Sequence, residues 1–357
     1  MKGTTRVLAV AVGLVELALI PIVYAGPTVY GQLNLSLDNL DNGADSAFNV
    51  SSNSSRLGVK GDIQVGDNLA GIYQVESEIN ADTGSASSNN TVFASRDTFA
   101  GLQGNFGTVR VGRFDTPVKL LGRQVDLFKD QVGDARNLTR GANGSGTTNT
   151  LARFDERPNN SIGYISPTIS GFTGLLQYAT NTDSGTTSND TNKLISVAAN
   201  YAQGPLFAGI GYEKDGYLST TVPPVAGRDP SVVRLAGYYD IAAWRINGLW
   251  QTVSGTTSNN DEDVYGVGVR YVNDVWTYKT QTYQLKSNGP NKDATLFAIG
   301  AEYVLQKGIT LYADYATLDN DSQQKLTPYK EGRSDNLAVT TAGNTASGIS
   351  LGTIIKF

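Results

Sequence analysis

The sequence contains no cysteine and no histidine. Without cysteine the chain has no disulfide and no thiolate ligand, and without histidine it lacks the commonest metal ligand and general base of enzymes. Hydrolysis by a serine–histidine–acid triad is excluded for the same reason. We therefore expect no metal, no cofactor and no enzymatic activity.

Long apolar runs are also scarce. Only residues 7–25 form a mostly apolar stretch, which follows Lys2 and Arg6. This pattern favours a secretory signal peptide over residues 1–25 rather than a permanent membrane anchor. After it, no run approaches the roughly 18 unbroken apolar residues that a membrane-spanning helix needs. The mature chain, residues 26–357, is then either an exported soluble protein or a membrane protein built from strands.

Basic charge is not in excess. The 28 Lys and Arg residues are outnumbered by 33 Asp and Glu, for a formal net charge of -5, and the basic residues are spread along the chain. We therefore expect no nucleic-acid partner.

Glycine and tyrosine, in contrast, are abundant, with 40 and 18 residues. From Thr28 onward the chain repeats segments of about ten residues in which apolar and polar side chains alternate. In residues 28–38, for example, Leu33, Leu35 and Leu37 share one face, and polar side chains occupy the other. This period of two predicts β-strands whose apolar face contacts lipid and whose polar face lines a wet interior.

The connections between these segments alternate in length. Short turns such as 104–107 and 306–308 alternate with long polar segments, which is typical of outer-membrane barrels and not of soluble sandwiches. The rhythm predicts about sixteen strands, one of them over 54–64. The fold class is therefore all-β, a transmembrane antiparallel β-barrel with an aqueous lumen.

One connection, residues 115–157, is longer than the others and contains apolar side chains, among them Leu127, Phe128 and Val132. A structureless loop of that length is uncommon unless it has a function. Its apolar residues need burial, so we expect the segment to fold into the lumen against the inner wall.

Charged residues of opposite sign are predicted to face each other across the lumen. Alternation places a basic wall on one side, formed by Arg56, Lys60, Arg96 and Arg110. The long segment supplies Asp126, Asp130 and Asp134, which a helical turn would align on one face. The resulting transverse field would favour small polar solutes and penalise apolar ones. In the alternative interpretation, Lys129 and Arg136 neutralise these carboxylates within a solvated loop.

Several short motifs occur in order along the mature chain. They are Ser55-Arg56-Leu57-Gly58-Val59-Lys60-Gly61, Phe99-Ala100-Gly101-Leu102, Gly107-Thr108-Val109-Arg110-Val111-Gly112-Arg113, Asn160-Ser161-Ile162-Gly163-Tyr164-Ile165-Ser166-Pro167 and the terminal Phe357. Together these motifs resemble the general porins of Gram-negative bacteria, of the neisserial and betaproteobacterial type.

The resemblance implies a homotrimer of sixteen-stranded barrels in the cell outer membrane, in contact with lipid and lipopolysaccharide. It implies passive diffusion of ions and small hydrophilic solutes past a third loop folded inward. Arg56, Lys60 and Arg96 match the family's basic wall, and Arg113 matches an arginine that faces either the lumen or the subunit interface. Phe357 resembles the signal read by the outer-membrane assembly machinery.

The Pro-Glu-Phe-Gly-Gly tip of enterobacterial porins is missing, so the three aspartates match by loop position alone. Two other functions stay open at this point. One is a solute-selective channel, although the sequence has no evident aromatic or lysine track. The other is a structural or adhesive barrel plugged by its own loop.

Overall fold

The computed structural model describes residues 26–84, 93–140, 154–180, 193–215, 230–255 and 261–357. The predicted signal peptide and residues 141–153 of the long segment lie outside the described residues. No helix in the described part of the chain is long and apolar enough to cross a membrane.

The described residues form antiparallel strands and two short helices. The helices are α1 (Pro117–Arg123) and α2 (Arg136–Thr139). The strands are β1 (Thr28–Asp41), β2 (Ser46–Ser52), β3 (Arg56–Gly66), β4 (Leu69–Glu78), β5 (Thr98–Gly104), β6 (Gly107–Arg113), β7 (Ser161–Ile165), β8 (Phe172–Ala179), β9 (Leu194–Gln203), β10 (Leu206–Asp215), β11 (Ser231–Ile241), β12 (Trp244–Ser254), β13 (Glu262–Asn273), β14 (Trp276–Ser287), β15 (Ala294–Gln306), β16 (Ile309–Asn320) and β17 (Ala346–Lys356).

Two of these segments occupy one position in the sheet. β1 pairs with β2 through Leu35 and Ser52, and with β3 through Gln32 and Arg56. The break between β2 and β3 contains Ser54, whose φ of +52° lies in the left-handed region. The 17 described segments therefore make a sixteen-stranded barrel, which confirms the predicted fold.

The barrel closes where the two ends of the chain meet. β17 pairs with both β16 and β1, so the sheet has no free edge at this point. The backbone N–H of Gly31 donates to the carbonyl of Phe357 at 2.9 Å, and Phe357 donates back at 3.2 Å. A Cβ at Gly31 would lie 2.4 Å from Cζ of Phe357, so the glycine makes room for the terminal ring.

The two faces of the strands differ as alternation predicts. On β13 the side chains of Tyr265 and Val267 are exposed outward, whereas Val264 points inward and is buried. The same outward apolar exposure recurs around the barrel, for example at Leu235, Ile299 and Leu351. This surface suits hydrocarbon and not water.

The inner face is not polar throughout, which corrects the expectation of a uniformly wet interior. On β12 to β16 an inward-facing apolar cluster packs against the long segment and is shielded from water. Its larger wall members on these strands are Leu249, Val264, Tyr283, Leu285, Leu296 and Leu318.

Candidate functional site

The described parts of residues 115–157, a range that we name the constriction segment, leave β6 and pack against the inner faces of the strands. α1 begins with Pro117, and the hydroxyl of Thr116 caps it by accepting from the Lys119 N–H at 3.3 Å. Val118 and Leu121 of α1 lie over glycines of β10. At Gly209 a Cβ would approach Cδ1 of Leu121 to 2.5 Å, so a side chain at this wall position would displace Leu121.

Arg234 of β11 holds the segment at several points. Its buried guanidinium donates to the carbonyl oxygens of Val118 at 2.9 Å and Thr139 at 3.2 Å. It also forms an ion pair with Asp155 at 2.6 Å. Gln251 of β12 donates to the same Thr139 carbonyl at 2.8 Å. One wall arginine therefore binds α1, the end of α2 and the returning part of the segment.

The predicted helical turn over Asp126, Asp130 and Asp134 is wrong. These residues lie in turns between α1 and α2, and Asp130 has a φ of +59°. The three carboxylates therefore do not share one face. Local hydrogen bonds to the backbone compete with helix formation here, as is usual for aspartate.

Asp126 and Asp134 are turned into the segment itself. Asp126 accepts from the Phe128 N–H at 3.0 Å and from the side chain of Gln281 on β14 at 2.9 Å. Burial, reinforced by the charge of Asp134, raises the pKa of Asp126 to about 7. Asp134 accepts from the backbone N–H groups of Asp130 and Arg136, each at 2.8 Å. Both carboxylates thus order the loop backbone.

Asp130 has a different environment, because it forms ion pairs with Arg123 at 2.7 Å and Arg136 at 2.9 Å. Burial alone would raise the pKa of Asp130, but the charges of Arg123 and Arg136 outweigh it and hold that pKa well below its usual range. The alternative of local neutralisation by Arg136 therefore describes Asp130 and Asp134 in this structure.

Asp130 lines a charged cavity of about 210 Å³ between the constriction segment and the basic wall. Its charged lining residues come from the wall, the segment and a loop near the end of the chain. The basic ones are Arg96, Arg113, Lys119, Arg123, Arg136, Arg140 and Arg157, and the acidic ones are Glu78, Asp115, Asp130, Asp155, Glu156 and Glu331.

Of the basic residues predicted to form the wall, only Arg96 and Arg113 line this cavity. Arg96 reaches it from just before β5 and is ion-paired with Glu76 at 2.6 Å. Arg56 lies beside the cavity, with Nε 3.8 Å from a Glu76 carboxylate oxygen. Lys60 lies over the ring of Tyr30, with Nζ 5.1 Å from its centroid.

Arg110 is separated from the other basic residues. Its guanidinium is 3.9 Å from the ring centroid of Phe114 and 5.2 Å from that of Phe99. It is almost fully buried between these rings, where cation–π attraction and packing account for its position.

Arg113 lines the cavity because of the glycine before it. Val111 is exposed on the outer face, and strict alternation would place Arg113 outside as well. Gly112 has a φ of +142°, and a Cβ there would lie 2.3 Å from the Thr98 carbonyl oxygen. This glycine conformation interrupts the alternation, so Arg113 turns inward and donates to the carbonyl of Ser95 and the side chain of Asn159.

Sequence reasoning missed the arginines of the constriction segment, namely Arg123, Arg140 and Arg157, and also Lys119. Arg157 is ion-paired with Asp97 and with Asp115. These residues lie outside the strands, where no alternation assigns a direction to a side chain. Their density within one long segment was the only available signal.

The loop before β17, residues 321–345, is a further component and is named the final loop. Its Pro328 carbonyl accepts from the Gly133 N–H at 2.6 Å, and its Lys330 and Glu331 N–H groups donate to Asn137 at 3.1 Å. Gly332 of this loop lies on the ion pair of Asp130 and Arg136. The final loop thus closes one side of the cavity.

Comparisons with known proteins agree on one family. The sequence model described as Gram-negative porin matches residues 5–323. The major outer membrane protein P.IB of Neisseria gonorrhoeae is 26% identical over 326 residues, covering 82% of this chain and 88% of that protein.

Solved structures are similar over most of the chain. An anion-selective porin from Comamonas acidovorans has a TM-score of 0.78 at 24% identity, covering 93% of this chain and 99% of that one. The trimer form of OmpT from Vibrio cholerae has a TM-score of 0.65 at 21% identity, with coverage of 93% and 99%. These two likenesses show the barrel fold.

Proposed function

Since the chain belongs to the Gram-negative porin family and is therefore an outer-membrane channel for passive diffusion, we propose that its charged cavity is the pore constriction and favours small anions. Diffusing solutes stay hydrated between charged walls, whereas apolar solutes would have to displace strongly bound water.

The supporting observation is the balance of charge in the cavity lining. Arg123 and Arg136 are balanced by Asp130 and Asp134, and Lys119 and Arg157 by Asp115 and Asp97. The lining as a whole nevertheless has seven basic residues and six acidic ones. The local surplus of positive charge attracts anions and repels cations.

Arg113 adds to this surplus because its hydrogen bonds go to neutral acceptors, the Ser95 carbonyl and the Asn159 side chain. The similarity to an anion-selective porin, at 24% identity, is evidence for the fold alone. The proposed preference for anions therefore rests on these charges.

The test is the reversal potential of single channels in planar bilayers under a potassium chloride gradient. We expect the wild-type protein to prefer chloride and Arg113→Gln to lower the anion-to-cation permeability ratio about twofold, as for one charge roughly 10 Å from the ion path in water. The control is Lys286→Gln, which removes a cation at an exposed ion pair with Asp293. An unchanged ratio in Arg113→Gln would refute this role of the cavity.

The same recording distinguishes the other functions. Absence of current from a folded barrel would favour a plugged structural or adhesive protein, and saturation by one uncharged solute would favour a selective channel. The relatives are channel proteins, and we propose that this chain has no enzymatic activity.

We further propose a homotrimer, in which the outward faces of β1, β2 and β3 are the subunit contact. All three tryptophans face outward on β12 and β14, where Trp276 packs on Tyr303 at 4.8 Å between ring centroids. Such rings are typical of a surface at the lipid–water interface. Phe48 of β2 and Phe93, which precedes β5, are 72% and 73% exposed and instead suit burial by another subunit. A trimeric relative is consistent with this arrangement.

The oligomer is tested by sedimentation in detergent. We expect Phe48→Ser combined with Phe93→Ser to dissociate the trimer, whereas Ile246→Ser on β12 leaves it intact.

Remaining parts of the proposal are cleavage of residues 1–25 on export, contact of the outer surface with lipid and lipopolysaccharide, and recognition of Phe357 by the assembly machinery.

A further inference from the structure

Three basic side chains lie directly opposite one another on the inner face, near the short turns. Arg245 of β12 pairs with Arg270 of β13, and Arg270 pairs in turn with Lys279 of β14. The Cβ atoms of directly opposed residues are about 5 Å apart, and like charges at that separation repel each other. This row therefore requires negative charge nearby.

The two outer residues of the row, Arg245 and Lys279, each have a negative charge nearby. Arg245 forms a two-point ion pair with Asp240, with both distances 2.6 Å, and Lys279 is ion-paired with Glu302 at 2.7 Å. Arg270, between them, has no hydrogen bond or ion pair within the described residues. Its Nε is buried without an acceptor, which is rare for a guanidinium that carries five N–H donors.

Lys129 is a second cation that lacks a hydrogen-bonding or ion-pairing partner within the described residues. Its ammonium group has no hydrogen bond or ion pair in the part of the chain that the structure describes. The charges that surround it are Arg123, Asp126 and Asp130 of the constriction segment and Arg245 of β12. Arg245 thus has an incompletely paired cation on each side, Lys129 from the segment and Arg270 from the neighbouring strand.

We propose that Lys129, Arg245 and Arg270 form a binding station for a small oxyanion, a phosphate or carboxylate group, on the short-turn side of the constriction. A bound oxyanion supplies the missing acceptors of Arg270 and a counter-charge for Lys129. The planar guanidinium matches two oxygens of such a group at once, and the ammonium group adds a point charge.

The station rests on the proposed diffusion function, because an anion reaches it only through the lumen. Arg270 is three residues before the turn after β13, and Arg245 is the second residue of β12. Both therefore lie near the short-turn mouth, away from the cavity that contains Arg113. An anion leaving the constriction would meet these cations before it reached the mouth.

The test uses the mature full-length protein and inorganic phosphate. We expect phosphate, added to each side of a planar bilayer in turn, to reduce the chloride current in a saturable way. Lys129→Gln and Arg270→Gln should each weaken the apparent affinity about tenfold or more, the effect of losing one hydrogen bond to a charged group. The matched control is Lys356→Gln, which removes an exposed positive charge at the end of β17.

Broadening of the phosphorus NMR line of phosphate by detergent-solubilised protein compares the same affinities without a current measurement. The comparison can therefore be made even if the protein conducts no current. Equal phosphate affinity in the wild type, in the Lys129→Gln and Arg270→Gln variants and in their combination would overturn the station. An equal loss in Lys356→Gln would also overturn it, because general lumen charge would then explain the binding. A channel without chloride preference refutes the proposed function but leaves the phosphate comparison valid.

Discussion

Arg234 of β11 and Asp155 of the constriction segment form a fully buried two-point ion pair. Nη1 of Arg234 donates to Oδ1 of Asp155 at 2.6 Å, and Nη2 donates to Oδ2 at 3.2 Å. The same guanidinium also binds the carbonyls of Val118 and Thr139. The position of the constriction segment therefore depends on one wall side chain.

Replacing Arg234 is expected to release this segment. In Arg234→Gln, Asp155 loses its buried partner, and breaking such a pair costs about 3–5 kcal/mol. We expect larger and noisier single-channel currents together with a lower unfolding temperature. The control is Lys286→Gln, whose ion pair with Asp293 is exposed and does not involve the segment. A quiet channel of wild-type conductance in Arg234→Gln would contradict the tethering.

Gly112 is expected to control the direction of Arg113. In Gly112→Ala the new Cβ meets the Thr98 carbonyl, and the backbone strain at φ +142° amounts to about 1–3 kcal/mol. We expect Arg113 to leave the cavity, so that chloride preference falls as in Arg113→Gln. Gly248→Ala is the control, because its nearest atom would be 3.8 Å away. Retained preference in a folded Gly112→Ala channel would refute this role.

Gly332 is expected to be required for docking of the final loop. Its φ is +76°, and a Cβ would lie 2.5 Å from Nη2 of Arg136 and 2.7 Å from Oδ1 of Asp130. Gly332→Ala should therefore lift the loop and increase conductance. The control is Gly66→Ala, where the new Cβ meets nothing within 4 Å. Protease sensitivity of the final loop measures its release independently, and unchanged values of both would contradict the prediction.

Phosphate binding is expected to depend on pH through Lys129. Burial, with the like charge of Arg123, lowers the pKa of Lys129 to about 8, so the amine carries its charge below this pH and loses it above. Phosphate itself gains negative charge over the same range, so the comparison is with Lys129→Gln: between about pH 7 and about pH 9 the wild-type affinity should fall severalfold relative to that of the variant. The same pH profile in both proteins would contradict the role of Lys129, and Lys119, whose pKa burial also lowers to about 8, would then be the alternative.

Phe357 is expected to matter more for assembly than for the folded barrel. Its ring lies on Gly31 and is 61% exposed, so removing it uncovers little buried surface. Phe357→Ala should reduce the fraction of protein in the outer membrane of cells but leave refolding in detergent unchanged. Ile355→Ala, on the same outward face, is the control. Equal amounts of both variants in the membrane would argue against a terminal signal.

Part of the site was predictable from local pattern. Alternation along β3 and β6 assigned Arg56 and Arg110 to the inner face, but it gave no information on whether either reaches the constriction. Arg110 is instead enclosed by Phe99 and Phe114, one of which lies on another strand and the other beyond β6. Such enclosure depends on the neighbouring strand and on the course of the chain beyond β6, about which the alternation within β6 gives no information.

The sequence by itself determined the barrel. A period of two with apolar side chains on one face specifies strands, and the alternation of short turns and long loops specifies their antiparallel order. These signals are local, because each strand presents the same two faces whatever its neighbours are. The count of sixteen followed from them, although the interruption between β2 and β3 did not.

Only the tertiary structure decided how the constriction is built. Asp126 meets Gln281 and Asp155 meets Arg234 across 155 and 79 residues of sequence. Outside a regular element the direction of a side chain has no period, so charge and spacing alone misassigned Asp126 and Asp134 to the lumen. Their positions follow from the closure of the barrel, which brings β11 and β14 under one segment and leaves its buried polar groups to find partners there.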